Sequence, residues 1–195
     1  DNLEFYSAVR TVKAIDQSDV CLLLVDATQG FEKQDQHIFW HVLDSYRWVV
    51  VVVNKWFLVE KDEHARKADR AKLEEKMAPF SDVPVIFTSN VTKQRVFKAL
   101  EAALHVHHQR GLKISTSELN EEFLPICRDQ PPPIYKGKSV SIKYITQIPS
   151  QVPTFAFYCN LPQYIKDPYK PFLENKIRSE YDFSGVPMSL FMRKK

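Results

Sequence analysis

Three apolar runs, Val20–Val25, Trp48–Val53 and Val83–Phe87, recur about thirty residues apart with helix-periodic stretches between them. Strands that return to one sheet after a helix do so by right-handed crossovers, so this spacing predicts βαβ units and a parallel sheet. Phe5, Ala8, Val9, Val12 and Ile15 mark a helix before the first run, and further helices are expected over about 34–46, 62–77 and 93–108. Val20–Val25 has no polar interruption and reads as a strand buried on both faces. Ligands on such sheets bind beyond the carboxyl ends of the strands. That singles out Asp26-Ala27-Thr28, Asn54-Lys55-Trp56-Phe57 and Thr88-Ser89-Asn90.

After Gly111 the pattern changes. Ser115 and Glu118 form a capping-box pair that opens a helix carrying Leu119, Phe123 and Ile126, and Pro131-Pro132-Pro133 ends it. Val140, Ile142 and Tyr144 alternate with polar residues, which predicts a strand with those three facing inward. A second strand over about 154–160 follows a short Pro-bracketed turn, so the two are antiparallel. Asp167 as N-cap and Pro168 at the first helical position open another helix, and Gly185 precedes a last strand through Met188, Leu190 and Met192. The order α-β-β-α-β describes a small α+β domain, with the boundary near 111–114.

Composition narrows the function classes. The 195 residues carry a net charge of only +3, but the excess is uneven: residues 1–111 sum to −1, 112–195 to +4 and 136–195 to +6. Cys21, Cys127 and Cys159 are odd in number and far apart, which argues against a disulfide scaffold or zinc ribbon and for a reducing, cytoplasmic setting. No run approaches the roughly 18 apolar residues of a membrane span. Only four glycines exist, and neither G-x-x-x-x-G-K-[ST] nor G-x-G-x-x-G is present. No nucleophile–base pair is visible, so no catalytic residue is assigned. No metal site is assigned either, since His105, His107 and His108 do not share one helical face and suit a helix C-terminus instead.

Asn54-Lys55 is the most informative dipeptide. A carboxamide at a strand end can bond the edge of a heterocycle while a lysine stem lies along its face, which suits a purine. Taken alone, a polar pair after a strand reads as a turn; Thr88-Ser89-Asn90 and Asp26 at neighbouring strand ends add weight. In the C-terminal part, Lys136, Lys138, Lys143, Lys166, Lys170, Lys176, Arg178, Arg193, Lys194 and Lys195 are interleaved with Tyr135, Tyr144, Tyr158, Tyr164 and Tyr169. Phosphate contact from cations combined with aromatic stacking is a common way to hold RNA.

These stretches resemble the EngA/Der double-GTPase family of bacterial ribosome assembly. The likeness runs through Leu3 to Val12, Val20 to Gly30, Val51 to Lys61, Lys93 to Val96, Ser115 to Leu119, Pro131 to Pro133 with Lys136-Gly137-Lys138, Tyr144 to Gln147, Pro153 to Phe155 and Phe172 to Asn175. It covers essentially the whole chain. The resemblance implies an α/β, parallel-sheet P-loop GTPase-like domain, N-terminally truncated, over 1–112 and a KH-like domain over 113–195. The phosphate loop, first switch and a further GTPase domain would precede Asp1, so this chain alone is expected not to turn over GTP.

Under the same resemblance, Asn54 and Lys55 match the Asn-Lys of the family's guanine motif, while Phe57 stands where the family has aspartate. Ser89 matches the serine of the last guanine segment and Asn90 replaces an alanine. The implied cofactors are GTP or GDP, with Mg²⁺ in the complete protein. The implied partners are the large ribosomal subunit with its rRNA, reached through Lys136, Lys138, Lys143, Arg193, Lys194 and Lys195, and the missing GTPase domains of the same protein. Phe57 keeps a second reading open, in which the GTPase-like half is a scaffold for a non-catalytic RNA-binding or interaction module.

Overall fold

The computed structural model describes the backbone of residues 2–56, 63–78, 80, 82–109 and 111–195, and within these the side chains other than 2–6, 63–66 and 69. Phe57 lies outside the described residues. The chain divides into two compact units, Asp1–Gln109 with Ser184–Pro187 and Arg110–Phe183 with Met188–Lys195.

Unit 1 contains α1 (Asn2–Gln17), β1 (Val20–Asp26), α2 (Lys33–Asp44), β2 (Trp48–Asn54), α3 (Glu63–Met77), β3 (Val85–Phe87) and α4 (Val96–Gln109). Its strands are parallel, in the order β1-β2-β3. All six residues Trp48–Val53 are at most 5% exposed, and each buried valine stabilises the unit by roughly 1.5–3 kcal/mol. On one sheet face Leu23, Val25, Val49, Val51 and Val53 pack with Ile15, Phe39, Val42 and Met77. At the entrance to α2, Glu32 and Asp35 form a reciprocal capping box in which Asp35 Oδ2 accepts from the Glu32 N–H at 2.9 Å.

Two expectations for unit 1 are corrected. β1 is not buried on both faces: Leu24 is 58% exposed, and only Leu23 and Val25 are buried. The reason is facing: Leu24 points to the sheet face opposite Leu23 and Val25, and at β1, an edge strand among those described, that face stays open. The last helix starts at Val96 and not at Lys93. Lys93 and Arg95 have φ of +55° and +56°, and Ser89 pairs with Gln94 in an isolated bridge, so the chain is turning where helical periodicity suggested a helix.

The segment Ser184–Pro187 belongs to unit 1 through Gly185. Because β3 begins only at Val85, the N–H of Val49 has no ladder partner on that side. It donates to the Gly185 carbonyl at 3.2 Å, and the Gly185 N–H donates to Asp82 O at 2.7 Å. Gly185 has φ +71°, and a Cβ there would lie 2.7 Å from Val49 O. Only glycine satisfies both conditions.

Unit 2 contains α5 (Thr116–Asp129), β4 (Ile142–Ile148), β5 (Thr154–Cys159), a 3₁₀ turn (Pro162–Tyr164), α6 (Tyr169–Glu180) and β6 (Ser189–Lys194). β4 and β5 are antiparallel, β5 and β6 parallel. Leu119, Phe123, Ile145, Phe155, Phe157, Leu173 and Ile177 are fully buried and form its apolar interior. Asn120 of α5 covers the outer edge of β4: its amide nitrogen donates to Ile145 O at 2.8 Å and its oxygen accepts from Ile145 N–H at 2.9 Å. That satisfies the backbone groups an edge strand leaves open.

Three local expectations for unit 2 are corrected as well. A bulge between Ile142 and Tyr144 breaks the simple alternation, so Ile142 and Ile145 point inward while Tyr144 is 40% exposed. Ser115 Oγ accepts from the Glu118 N–H as expected, at 3.2 Å, but Glu118 takes the Tyr181 hydroxyl at 3.1 Å. α6 has Pro168, not Asp167, at its N-cap, with no side-chain cap bond.

Candidate functional site

The sheet register of unit 1 aligns its strand ends. Asp26 pairs with Asn54 across β1 and β2, and Val53 pairs with Phe87, which brings Thr88 alongside Asn54. Thr88 Oγ1 donates to Asn54 Oδ1 at 3.3 Å, the Thr88 N–H donates to Val53 O at 2.8 Å, and the Trp56 N–H donates to Thr88 O at 3.3 Å. With its oxygen engaged, the Asn54 carboxamide has its NH₂ donors to offer a ligand. Lys55 leaves β2 with φ +60°, a left-handed residue that turns the chain at the end of the strand.

Lys55 Nζ bonds Asp26 Oδ2 at 2.6 Å. Asp26 Oδ1 also accepts from the Thr28 hydroxyl at 2.7 Å and the Thr28 N–H at 2.9 Å. The lysine, then the threonine, hold the Asp26 carboxyl down to about 2. It is ionised throughout the physiological range and fixes the ammonium at the mouth of the site. Ser89 is buried, its N–H donates to Gln94 O at 3.1 Å, and its hydroxyl accepts from the Thr92 N–H at 3.2 Å. Asn90 follows on the surface.

The fold therefore sets two hydrogen-bonded pairs, Asp26–Lys55 and Asn54–Thr88, side by side at the strand ends, with Ser89 next in the chain. Thr88 and Ser89 line a cavity of ≈ 390 Å³ with Trp56, Gln94 and Arg95. A larger cavity of ≈ 570 Å³ lies beneath Val25, Val53 and Phe87 beside Lys76 of α3, and none of Asn54, Lys55, Ser89 or Asn90 lines it. The Asp26–Lys55 pair and the cavity wall from Trp56 and Arg95 escaped sequence reasoning. The pair could have been found by aligning the ends of the two apolar runs; the wall depends on a turn with no sequence signature.

In unit 2 the six candidate RNA-contacting residues gather at one end of the sheet. Ile142, Cys159 and Lys194 form one cross-strand row, so Lys143, Arg193, Lys194 and Lys195 meet there. Tyr135 and Lys138 exchange backbone bonds at 3.0 and 3.2 Å around Lys136 and Gly137, whose φ of +50° and +68° suit a two-residue hairpin turn. Asn160 ties this segment to the same end, donating to Ser139 O at 3.2 Å and accepting from the Ser141 N–H at 2.9 Å. All six cations are exposed. Lys166 Nζ lies 4.2 Å from the Tyr135 ring centroid, a cation–π contact linking the turn to the 3₁₀ segment.

Comparison with known proteins follows the same division. Residues 4–109 match the model of the elongation factor Tu GTP binding domain, and residues 113–193 match that of the KH-domain-like of EngA bacterial GTPase enzymes, C-terminal. GTPase Der of Christiangramia forsetii and of Flavobacterium psychrophilum are each 53% identical over 195 residues, and that of Bacteroides fragilis is 49% identical over 197. Each alignment spans 100% of this chain and 45% of the relative, so the chain covers about half the length of these proteins. A solved structure of Era in complex with MgGDPNP and nucleotides 1506–1542 of 16S ribosomal RNA aligns with 94% of this chain and 67% of that chain, at 16% identity and a TM-score of 0.39.

A parallel-sheet domain with its polar group at the strand ends, followed by a small α-β-β-α-β sheet, thus defines a translation-factor-type GTP-binding fold joined to a KH-like domain. The match that spans the whole of this chain is to one kind of protein within that class. The chain belongs to the EngA/Der GTPase family.

Proposed function

We propose that this chain is the latter part of the second GTP-binding domain, together with the KH-like domain, of a cytoplasmic GTPase that acts in assembly of the large ribosomal subunit. Unit 2 contacts ribosomal RNA, and the GTPase domains of the same protein are its other partners. The observation that carries the reading is the gathering of Lys136, Lys138, Lys143, Arg193, Lys194 and Lys195 at one sheet end in stretches, 130–166 and 183–195, that contain no Asp or Glu. Among the described residues no helix is long and apolar enough to cross a membrane.

For the nucleotide, Asn54, Lys55, Ser89 and Asn90 fit one edge of a purine. The Asn54 NH₂ suits a ring nitrogen, the Lys55 stem a ring face, and the Asn90 N–H the exocyclic oxygen, because the Ser89 N–H is already taken. The opposite edge of guanine presents N–H donors, and Phe57 cannot accept them. Mg²⁺ and the phosphates need groups that the family carries upstream, and no step is assigned to this chain. The side chain of Phe57 favours a second reading in which unit 1 is a scaffold and unit 2 a non-catalytic RNA-binding module.

The RNA reading is tested by salt dependence. Affinity for large-subunit ribosomal RNA is expected to fall linearly with the logarithm of salt concentration. Changing Arg193, Lys194 and Lys195 to alanine should shallow that slope by about 0.7 to 0.9 for each phosphate the variant no longer touches. An unchanged slope in a variant that melts like the wild type removes the tail from the interface.

A further inference from the structure

The sheet of unit 2 has two unlike faces. Ile145, Phe155 and Phe157 point into the apolar interior and are fully buried. On the other face Tyr144 lies opposite Tyr158, which lies opposite Arg193, and one pleat further along Ala156 lies opposite Phe191. The Tyr144 and Tyr158 rings are 5.7 Å apart at 52°, and Tyr144 and Phe191 are 40% and 49% exposed. Two large rings thus stand in solvent on a three-stranded face whose middle strand carries Tyr158 and the methyl group of Ala156. Lys143, in the bulge beside Tyr144, and Arg193, beside Tyr158, flank them.

We infer that this face is a stacking platform for unpaired bases of single-stranded RNA, with Tyr144 and Phe191 each taking one base and Lys143 and Arg193 the phosphates between. The inference rests on the RNA reading above and deepens it by naming the form of RNA and the residues that read it. Charge selects the occupant. No carboxylate occurs in β4, β5, β6 or the turn that joins β4 to β5, so no acidic side chain of the sheet opposes a polyanion there. Shape selects among polyanions. Tyr144 and Phe191 lie on strands two spacings apart, roughly 10 Å, which is too far for one base and suits two splayed ones. A duplex buries its base faces in its own stack and has none to offer.

The bulge at Ile142/Tyr144 makes the platform possible. Without it the strand would turn Tyr144 inward beside Ile142, and only one of the two exposed rings would remain.

The test is equilibrium binding of the full chain to a short fluorescein-labelled single-stranded RNA of mixed sequence and to the duplex of the same sequence. Tyr144→Ala and Phe191→Ala are each expected to weaken binding of the single strand by about 5- to 150-fold, the range found for loss of one base–aromatic stack. Binding of the duplex should be unchanged. Tyr144→Phe keeps the ring and should recover most of the affinity that Tyr144→Ala removes. Phe191→Ala, on a different strand, decides the matter should Tyr144→Ala melt early. Arg193→Ala should shallow the salt slope for the single strand by about 0.7. If the alanine variants bind single-stranded RNA as the wild type does while Lys136→Ala and Lys138→Ala weaken it, the platform is overturned and the RNA reading stands, the rings then belonging to a protein contact. If the wild type binds neither RNA, both fall.

Discussion

The polar residues at the strand ends of unit 1 mostly satisfy one another, whereas the cations at the sheet end of unit 2 lie in stretches of chain without Asp or Glu. Asp26 bonds Lys55 and Thr28, and Thr88 separately bonds Asn54, at distances between 2.6 and 3.3 Å. Lys136, Lys138, Lys143 and Arg193 to Lys195 project charge outward. The two units differ in what a ligand must do. A nucleotide entering unit 1 competes with bonds already made, so fit and specific acceptors decide affinity. A polyanion meeting unit 2 releases counterions and needs little fit, so salt decides.

The largest effect that would break this comparison lies in the framework of unit 1. Gly185→Ala places a Cβ against Val49 O in a left-handed backbone and weakens two backbone bonds. The expected loss is about 2 to 4 kcal/mol, combining the left-handed penalty with a lost hydrogen bond. It is read as a lower melting transition. A variant as stable as the wild type would mean that Ser184–Pro187 contributes nothing to the sheet it touches.

Next comes the specificity of the strand-end site. Phe57→Asp in the full-length protein supplies the acceptor that guanine needs and should tighten GDP binding by about 1 to 3 kcal/mol. Titration with fluorescent GDP and with its xanthine counterpart checks both strength and discrimination. No gain would detach Asn54 and Lys55 from the guanine role and bring the two units closer in character.

The smallest effect concerns pH. Asp26 is held down to about 2 by Lys55 and Thr28, below the usual carboxylate value of 3.8. A depressed carboxyl contributes its stabilisation fully above its unfolded value and loses it as pH falls through the folded one. The Asp26–Lys55 pair should thus stay closed from pH 8 down to about 4 and open between about 4 and 2. Carbonyl-carbon NMR of Asp26 through that range provides the measurement, and a midpoint near 4 would show that the pair is absent in solution.

Much of the fold was legible in the sequence because burial leaves a period. The continuous apolar run of β2, the helices between strands, and the α-β-β-α-β order of unit 2 all follow from spacing alone. Asn54-Lys55 and Thr88-Ser89 were legible as strand-end residues for the same reason. What spacing could not show is which neighbour a residue meets. Leu24 reads like its buried neighbours Leu23 and Val25, yet it points to the opposite face, open at a strand with one described neighbour, and is exposed.

Local backbone choices were equally silent in the sequence. Lys93 and Arg95 have no feature that announces a left-handed conformation, and the bulge that turns Tyr144 outward is an inserted residue in a strand of ordinary composition. By itself, then, the sequence determined a parallel sheet and a basic small sheet, because apolar periodicity and charge are properties of the chain. Only the tertiary structure decided that Lys55 rests on Asp26, that Gly185 completes the β2 ladder and that Tyr144 joins Tyr158 and Phe191 on an open face. Those contacts depend on strand register, and register is settled by which side chains of distant strands can be buried together and by the turns between them.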